Sequence, residues 1–238
     1  MIKKIDEKKE VKEKVDQTKK INVGKKQNLQ LIWIVGLMAA IIVIIIVVPI
    51  IKHELFDKFD YMKLSFEKTI TGDTIFYTTN IPVVEQNIIS GDYLIYFRND
   101  PRELENISVE EKIEDDGGIK FIKKNTVYIS IDPYMTSCDE NSVALFVLGS
   151  FLKDFGLNVK SGFSDPDYIK SDEFPYINCE HSKSNTVIKI TSGDETKIDR
   201  EIGNCYVITY KDCEIQKGVE KFILLILEDY MDYFEKAN

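Results

Sequence analysis

Residues 29 to 51, LQLIWIVGLMAAIIVIIIVVPII, carry no charge and one polar side chain, Gln30. So much apolar surface must be taken out of water, into protein or into lipid. At about 1.5 Å of rise per residue, a helix of this length exceeds the roughly 30 Å hydrocarbon core of a bilayer. A helix inside a globular core is seldom apolar on every face for so long. The run therefore predicts a transmembrane helix, with the lipid bilayer as its partner.

The flanks orient it. Residues 1 to 28 hold ten lysines against five acids, a charge of +5, so the remainder of a chain of net charge −9 carries −14. Lysine next to a span stays on the cytoplasmic side. The expected localisation is the cell membrane, single-pass, with residues 1–28 a basic cytoplasmic tail and the carboxy-terminal portion outside. A cleaved signal peptide is the rival reading. Its apolar stretch is usually shorter and ends in small residues, whereas Ala39 and Ala40 sit mid-run here. An uncleaved signal anchor over 29–51 follows, then a juxtamembrane stalk over 52–60 and one extracytoplasmic domain over 61–238.

That outer portion suits one domain of ordinary size and has ample aromatic residues for a core. Nucleic acid is excluded as a partner: the outer portion is acidic and the chain's only arginines are Arg98, Arg102 and Arg200. Cys138, Cys179, Cys205 and Cys213 all fall in the outer portion, and an even count in an oxidising compartment points to two disulfides. Zinc is the alternative, but no spacing is C-x-x-C and His181 is the only histidine near them.

Alternation over Tyr61 to Ile70 puts Met62, Leu64 and Phe66 on one face, and Thr74 to Ile81 alternates again after Thr71-Gly72-Asp73. These predict a hairpin that Pro82 ends or places on an edge. Ser90-Gly91-Asp92 reads as a turn before a third strand, Tyr93 to Arg98, and the acidic stretch 99–118 as a long surface connection. Asn106 heads an Asn-Ile-Ser sequon and is a possible glycosylation site.

Next come a strand over Thr126 to Ile131 and a break at Asp132-Pro133. A helix capped by Ser137 or Asp139 then runs to about Phe155, with an apolar face of Val143, Ala144, Phe146, Val147, Phe151 and Phe155. Gly156 stops it and a strand begins at Leu157, which predicts a parallel crossover unit. Thr186 to Thr191, Thr196 to Ile202 and Cys205 to Tyr210 are further strands, and their short turns favour a meander. A core helix from about Cys213 to Phe234 closes the chain. The fold class is α/β, with α+β as the alternative: an amino-terminal transmembrane helix, then a single mixed-sheet domain with two main helices.

Three segments, YLIYFRNDPREL, TVYISIDPYMTSCDENSVALFVLGSFLKDFGLNV and GNCYVITYKDCEIQKGVEKFI, resemble a group of archaeal signal-anchored membrane proteins with one external α/β domain and no assigned activity. The shared features are Asp132-Pro133, Cys138, Gly203-Asn204-Cys205 and Asp212-Cys213-Glu214, and the resemblance covers most of residues 60 to 238. It imports no catalytic residue. The layout of that group suggests pairing Cys138 with Cys213 and Cys179 with Cys205, leaving two other connectivities open.

No phosphate loop, H-E-x-x-H, G-x-S-x-G or EF-hand loop can be read. With only His53 and His181, histidine chemistry would rest on one candidate, and Cys179-Glu180-His181 is more simply an oxidised cysteine beside a loop histidine. Asp115-Asp116, Asp165 with Asp167, and Asp172-Glu173 are candidate acid–base pairs, and Asp165, Asp167, Asp172 and Glu173 are candidate calcium ligands, although solvated loops explain them as well. Arg102 in DPREL is either a surface contact or an internal ion pair. No cofactor and no metal is expected. The expected function is that of a binding or assembly module with a protein partner at the cell envelope, and a membrane-anchored hydrolase using carboxylates is the alternative.

Overall fold

A computed structural model of the chain describes residues 33–49, 51, 57–85, 88–115, 118–122, 126–168 and 174–237. Two compact units divide at Asp57 and Lys58.

In the first unit, residues 33–49 form a helix (α1) whose side chains are all exposed, Trp33 and the Ile41–Ile46 run among them. At about 1.5 Å per residue, the described part is roughly 26 Å long, short of a hydrocarbon core. Among the described residues no helix is long and apolar enough to cross a membrane. The basic tail, His53 and the start of the expected stalk lie outside the described residues.

The second unit is mixed α/β with two sheets, where a single mixed sheet was expected. The first is an antiparallel ribbon of β1 (Lys58–Tyr61), β2 (Leu64–Thr71), β3 (Thr74–Glu85) and β4 (Ile88–Phe97), in that order. The expected strand from Tyr61 is interrupted because Met62 and Lys63 take positive φ, 48° and 59°, and form a two-residue hairpin turn between β1 and β2. The last residues assigned to the stalk therefore belong to the sheet. Gly72, at φ 62°, makes the next turn, where left-handed backbone is cheapest for glycine. Pro82 stays within β3, paired with Asp92 beyond the last partner that β2 offers, so its missing N–H interrupts no inner ladder. Ser90-Gly91-Asp92 is not a turn. It lies inside β4, opposite a register shift between Val83 and Val84.

The second sheet has the order β5 (Ser108–Val109), β9 (Lys197–Ile202), β10 (Cys205–Tyr210), β8 (Thr186–Ser192), β6 (Thr126–Ile131), β7 (Asn158–Phe163). Its four strands β10, β8, β6 and β7 are mutually parallel. The unit β6, α3 (Asn141–Asp154), β7 is the expected crossover. The last three strands are not a meander: β8 pairs parallel with β10, and β9 lies antiparallel on the far side of it. The Ser192-Gly193-Asp194 link steps past the end of β10 instead of folding back. A Cβ on Gly193 would lie 2.5 Å from Thr209 Cγ2, so this passage requires glycine.

The acidic stretch after β4 is not all surface. Leu104, Ile107 and Ile113 are buried, holding a short 3-10 turn (Glu103–Asn106), β5 and the short helix α2 (Glu111–Asp115) against the body. In α3 the expected caps do not act; Glu140 precedes the helix with no side-chain cap. The buried face is Ala144, Leu148, Phe151 and Leu152, while Val143 and Phe146 are exposed. The helix is apolar nearly all round, so spacing alone could not select its inner face.

The last helix, α4 (Ile215–Ala237), lies between the two sheets. Toward β10, Gly218 meets Ile208 and the Phe222 ring meets Tyr206 at 5.8 Å. Two residues from each, and so on the opposite side of the helix, Glu220 reaches the end of β4. Burial on both sides explains why FILLIL is apolar around the whole helix without being a span. A single core cluster joins Leu64, Phe66 and Phe97 of the first sheet to Phe222, Ile223 and Ile208.

Candidate functional site

The chief concavity among the described pockets forms where α3 and α4 end. Gly156, at φ 77°, terminates α3 and turns the chain away, leaving Phe151, Leu152 and Phe155 as one wall. Ile226, Asp229 and Tyr230 of α4 form the second wall, and Ile119 and Phe121 the third. Together they enclose a cavity of about 370 Å³. A smaller cavity of about 160 Å³ shares Phe155 and Tyr230 and extends to Ile81, Pro82, Val83, Tyr93 and Asp154. Phe155 is the hinge of an aromatic ladder, 4.5 Å from Phe151, 5.7 Å from Tyr230 and 6.4 Å from Tyr93 between ring centroids.

Four polar groups edge this cleft. Tyr230 Oη donates to Pro82 O at 2.6 Å, and Tyr93 Oη donates to Asp154 Oδ2 at 2.6 Å. Burial, followed by the bond to Asp154, pushes the Tyr93 hydroxyl up to about 12. Asp229 Oδ2 accepts from Ile119 N at 2.7 Å. Burial in apolar walls outweighs that donor and pushes the Asp229 carboxyl up to about 6, with Glu228 and Asp232 adding to the rise. Neither cavity is lined by lysine or arginine. The carboxylate fits here because residue 118 is glycine: a Cβ would lie within 2.0 Å of Asp229 Oδ1.

Sequence reasoning named none of these residues as a site. Asp229 read as one of the acids that follow the FILLIL run of a core helix, Tyr230 as part of that helix's apolar stripe, and Phe155 as the end of another helix's apolar face. The signal that could have marked them is an acid one residue from the apolar stripe of α4, which the fold sets against Gly118.

The residues singled out from sequence lie elsewhere. The cysteines form two disulfides, Cys138–Cys213 with Cα atoms 5.7 Å apart and Cys179–Cys205 with Cα atoms 5.3 Å apart. Cys138 and Cys213 follow the parallel strands β6 and β10, so both sit beyond the carboxy-terminal ends of those strands. Cys179, Glu201 and Cys205 bring donor atoms within 4.8 Å of one another, but each sulfur is bonded to the other and neither is a free thiolate. The Cys179-Glu180-His181 cluster is no nucleophile and base. His181 Nδ1 instead packs on Asn178 at the start of a 3-10 turn (Cys179–Lys183).

Arg102 pairs with Asp100 at 2.6 Å and stacks over the Phe59 ring at 3.9 Å, a local ion pair and an aromatic contact together. Asp165 accepts from Asp167 N at 2.7 Å and also meets the exposed Tyr134, whose hydroxyl it pushes up. Asp172, Glu173 and Asp116 lie outside the described residues, as does the Asp115 side chain. Asn106 is exposed in the turn before β5. Asp132 accepts from Thr191 Oγ1 at 2.7 Å and from Tyr134 N at 2.9 Å, so the Asp-Pro turn ties β6 to β8.

Glu220, which was not singled out, is fully buried and accepts four hydrogen bonds: from Arg98 N at 2.7 Å, Asn99 N at 3.1 Å, Asn99 Nδ2 at 2.8 Å and Gln216 Nε2 at 2.8 Å. Its lone pairs are used up in joining α4 to β4, which makes it a structural group. No protein-family model matches the chain, and no curated protein or solved structure is similar to it.

Proposed function

We propose that this chain is a membrane-anchored binding module: residues 29–51 hold it in the bilayer, residues 1–28 stay inside, and the disulfide-bonded domain faces outward. The apolar run, the lysines before it and the two disulfides support that placement. The observation that carries the binding half is the cleft at the ends of α3 and α4. It is largely apolar, with a few polar groups at its margin, which is the character of ligand sites. A protein partner at the cell envelope would supply or receive the ligand.

Two experiments test this reading. Protease added to intact cells should digest residues 58–238, and alkaline carbonate should leave the chain in the membrane fraction; a protected domain or a washed-off chain removes the anchor. Cyclohexanol added to the full chain in dodecyl maltoside should shift NMR signals of Phe121, Phe155 and Tyr230. No shift at those rings with either cyclohexanol or its charged analogue cyclohexylammonium removes the cleft.

A carboxylate hydrolase is the second reading, favoured by the raised Asp229 carboxyl, which suits a general acid near neutral pH. It requires turnover of ester or glycoside substrates that is lost in Asp229→Asn.

A further inference from the structure

We infer that the cleft selects an organic cation: a protonated amine or quaternary ammonium carried on an apolar body of about six to ten heavy atoms. The inference rests on the binding reading above and names the chemistry of its ligand.

Three features of the cleft point the same way. Its two acids, Asp154 and Asp229, stand at the edges of adjoining cavities with no lysine or arginine in the lining. Between them run the faces and edges of Phe151, Phe155, Tyr230 and Tyr93, spaced as an aromatic ladder. Ring quadrupoles attract ammonium groups, and the attraction grows when the cation is desolvated. An anion would meet two carboxylates and the negative ring faces. A neutral apolar ligand would fill the volume and leave Asp229 in an apolar site with one donor, Ile119 N–H.

The volume restricts the size. A cavity of about 370 Å³ holds a small molecule and not a folded partner surface. Both acids retain lone pairs for the ligand, since Asp154 accepts from Tyr93 through Oδ2 and Asp229 from Ile119 through Oδ2.

Asp229 also makes binding depend on pH. The groups facing it are Glu228 and Asp232 on its own helix, which raise its proton affinity, and Lys120 beside Ile119, which lowers it. Burial is the largest effect. Asp229 is ionised above about pH 6 and neutral below, so a cation should bind well at pH 7.5 and poorly at pH 5.

The test compares cyclohexylammonium with cyclohexanol, a near-isostere without charge, by NMR titration of the full chain in dodecyl maltoside, a detergent with no ammonium group. At pH 7.5 the ammonium should bind at least tenfold more tightly than the alcohol, and the preference should shrink at least fivefold at pH 5. Asp229→Asn should remove most of the preference, and Asp154→Asn part of it. Unchanged chemical shifts at Ile208 and Phe222 will certify that each variant is folded. Equal affinity for the two ligands overturns cation selection and leaves the binding reading standing. Absence of binding by both overturns the cleft itself. A preference that survives both substitutions overturns the assignment to these acids.

Discussion

Two carboxylates on α4, Glu220 and Asp229, occupy opposite conditions on one helix. Glu220 lies in the stretch pressed between two sheets and receives four donors. Asp229 lies nearer the end of the helix, receives Ile119 N–H, and faces a cleft. In both, burial raises the proton affinity. What separates them is satisfaction: a saturated carboxylate holds the structure together, whereas an under-satisfied one is available to a ligand.

The comparison breaks most readily at Glu220. Glu220→Ala leaves four donors without their acceptor and a cavity where a fully buried side chain stood, and should cost about 4 kcal/mol in denaturant unfolding. A loss below about 1 kcal/mol would show that water fills the gap and that Glu220 is no latch.

Gly118→Ala should cost about 2 to 3 kcal/mol, because φ is 89° there and the new methyl would strike the Asp229 carboxylate. In the double variant with Asp229→Ala the steric part should vanish, leaving roughly the backbone part of about 1 kcal/mol. Strict additivity would mean that the two residues do not touch.

Asp229→Asn should stabilise the domain at pH 7.5. A carboxyl raised from 3.8 to about 6 favours the folded state below pH 4, and that contribution is lost as pH rises through 6. The gain should be about 1 to 2 kcal/mol after discounting for solvent screening at this half-buried position. Wild-type stability should fall between pH 4 and 6 more steeply than that of the variant. Destabilisation by the substitution would make Asp229 a second structural acid.

The smallest effect is expected on α3. Phe146 is exposed, so Phe146→Ser should change stability by no more than about 0.5 kcal/mol, whereas Phe151→Ala should cost about 3. Comparable losses would mean that another surface covers Phe146.

Much of the second unit, residues 58–238, was readable residue by residue. Alternation located β2 and β3, the Thr126 to Ile131 run matched β6, and Gly156 marked the end of α3. The β6–α3–β7 crossover followed from the succession of strand, helix and strand. The failures have physical causes. Met62 and Lys63 adopt left-handed backbone that their side chains do not announce, so β1 was hidden in the stalk. The order β9, β10, β8 was misread because a short link can either fold back or step past a neighbour, and local turn chemistry does not distinguish these. The cleft was invisible because its walls come from residues 81 to 230, brought together by packing.

The amino-acid sequence by itself determined the apolar run, the charge on either side of it, the oxidisable cysteines and most strand and helix positions, because each depends on neighbours along the chain. Tertiary structure alone decided that the domain has two sheets around α4, that Glu220 is satisfied and that Asp229 is exposed to a cleft. Those outcomes depend on which distant groups are delivered to each side chain: burial sets the energy of a carboxylate, and only the folded chain specifies how many donors meet it there.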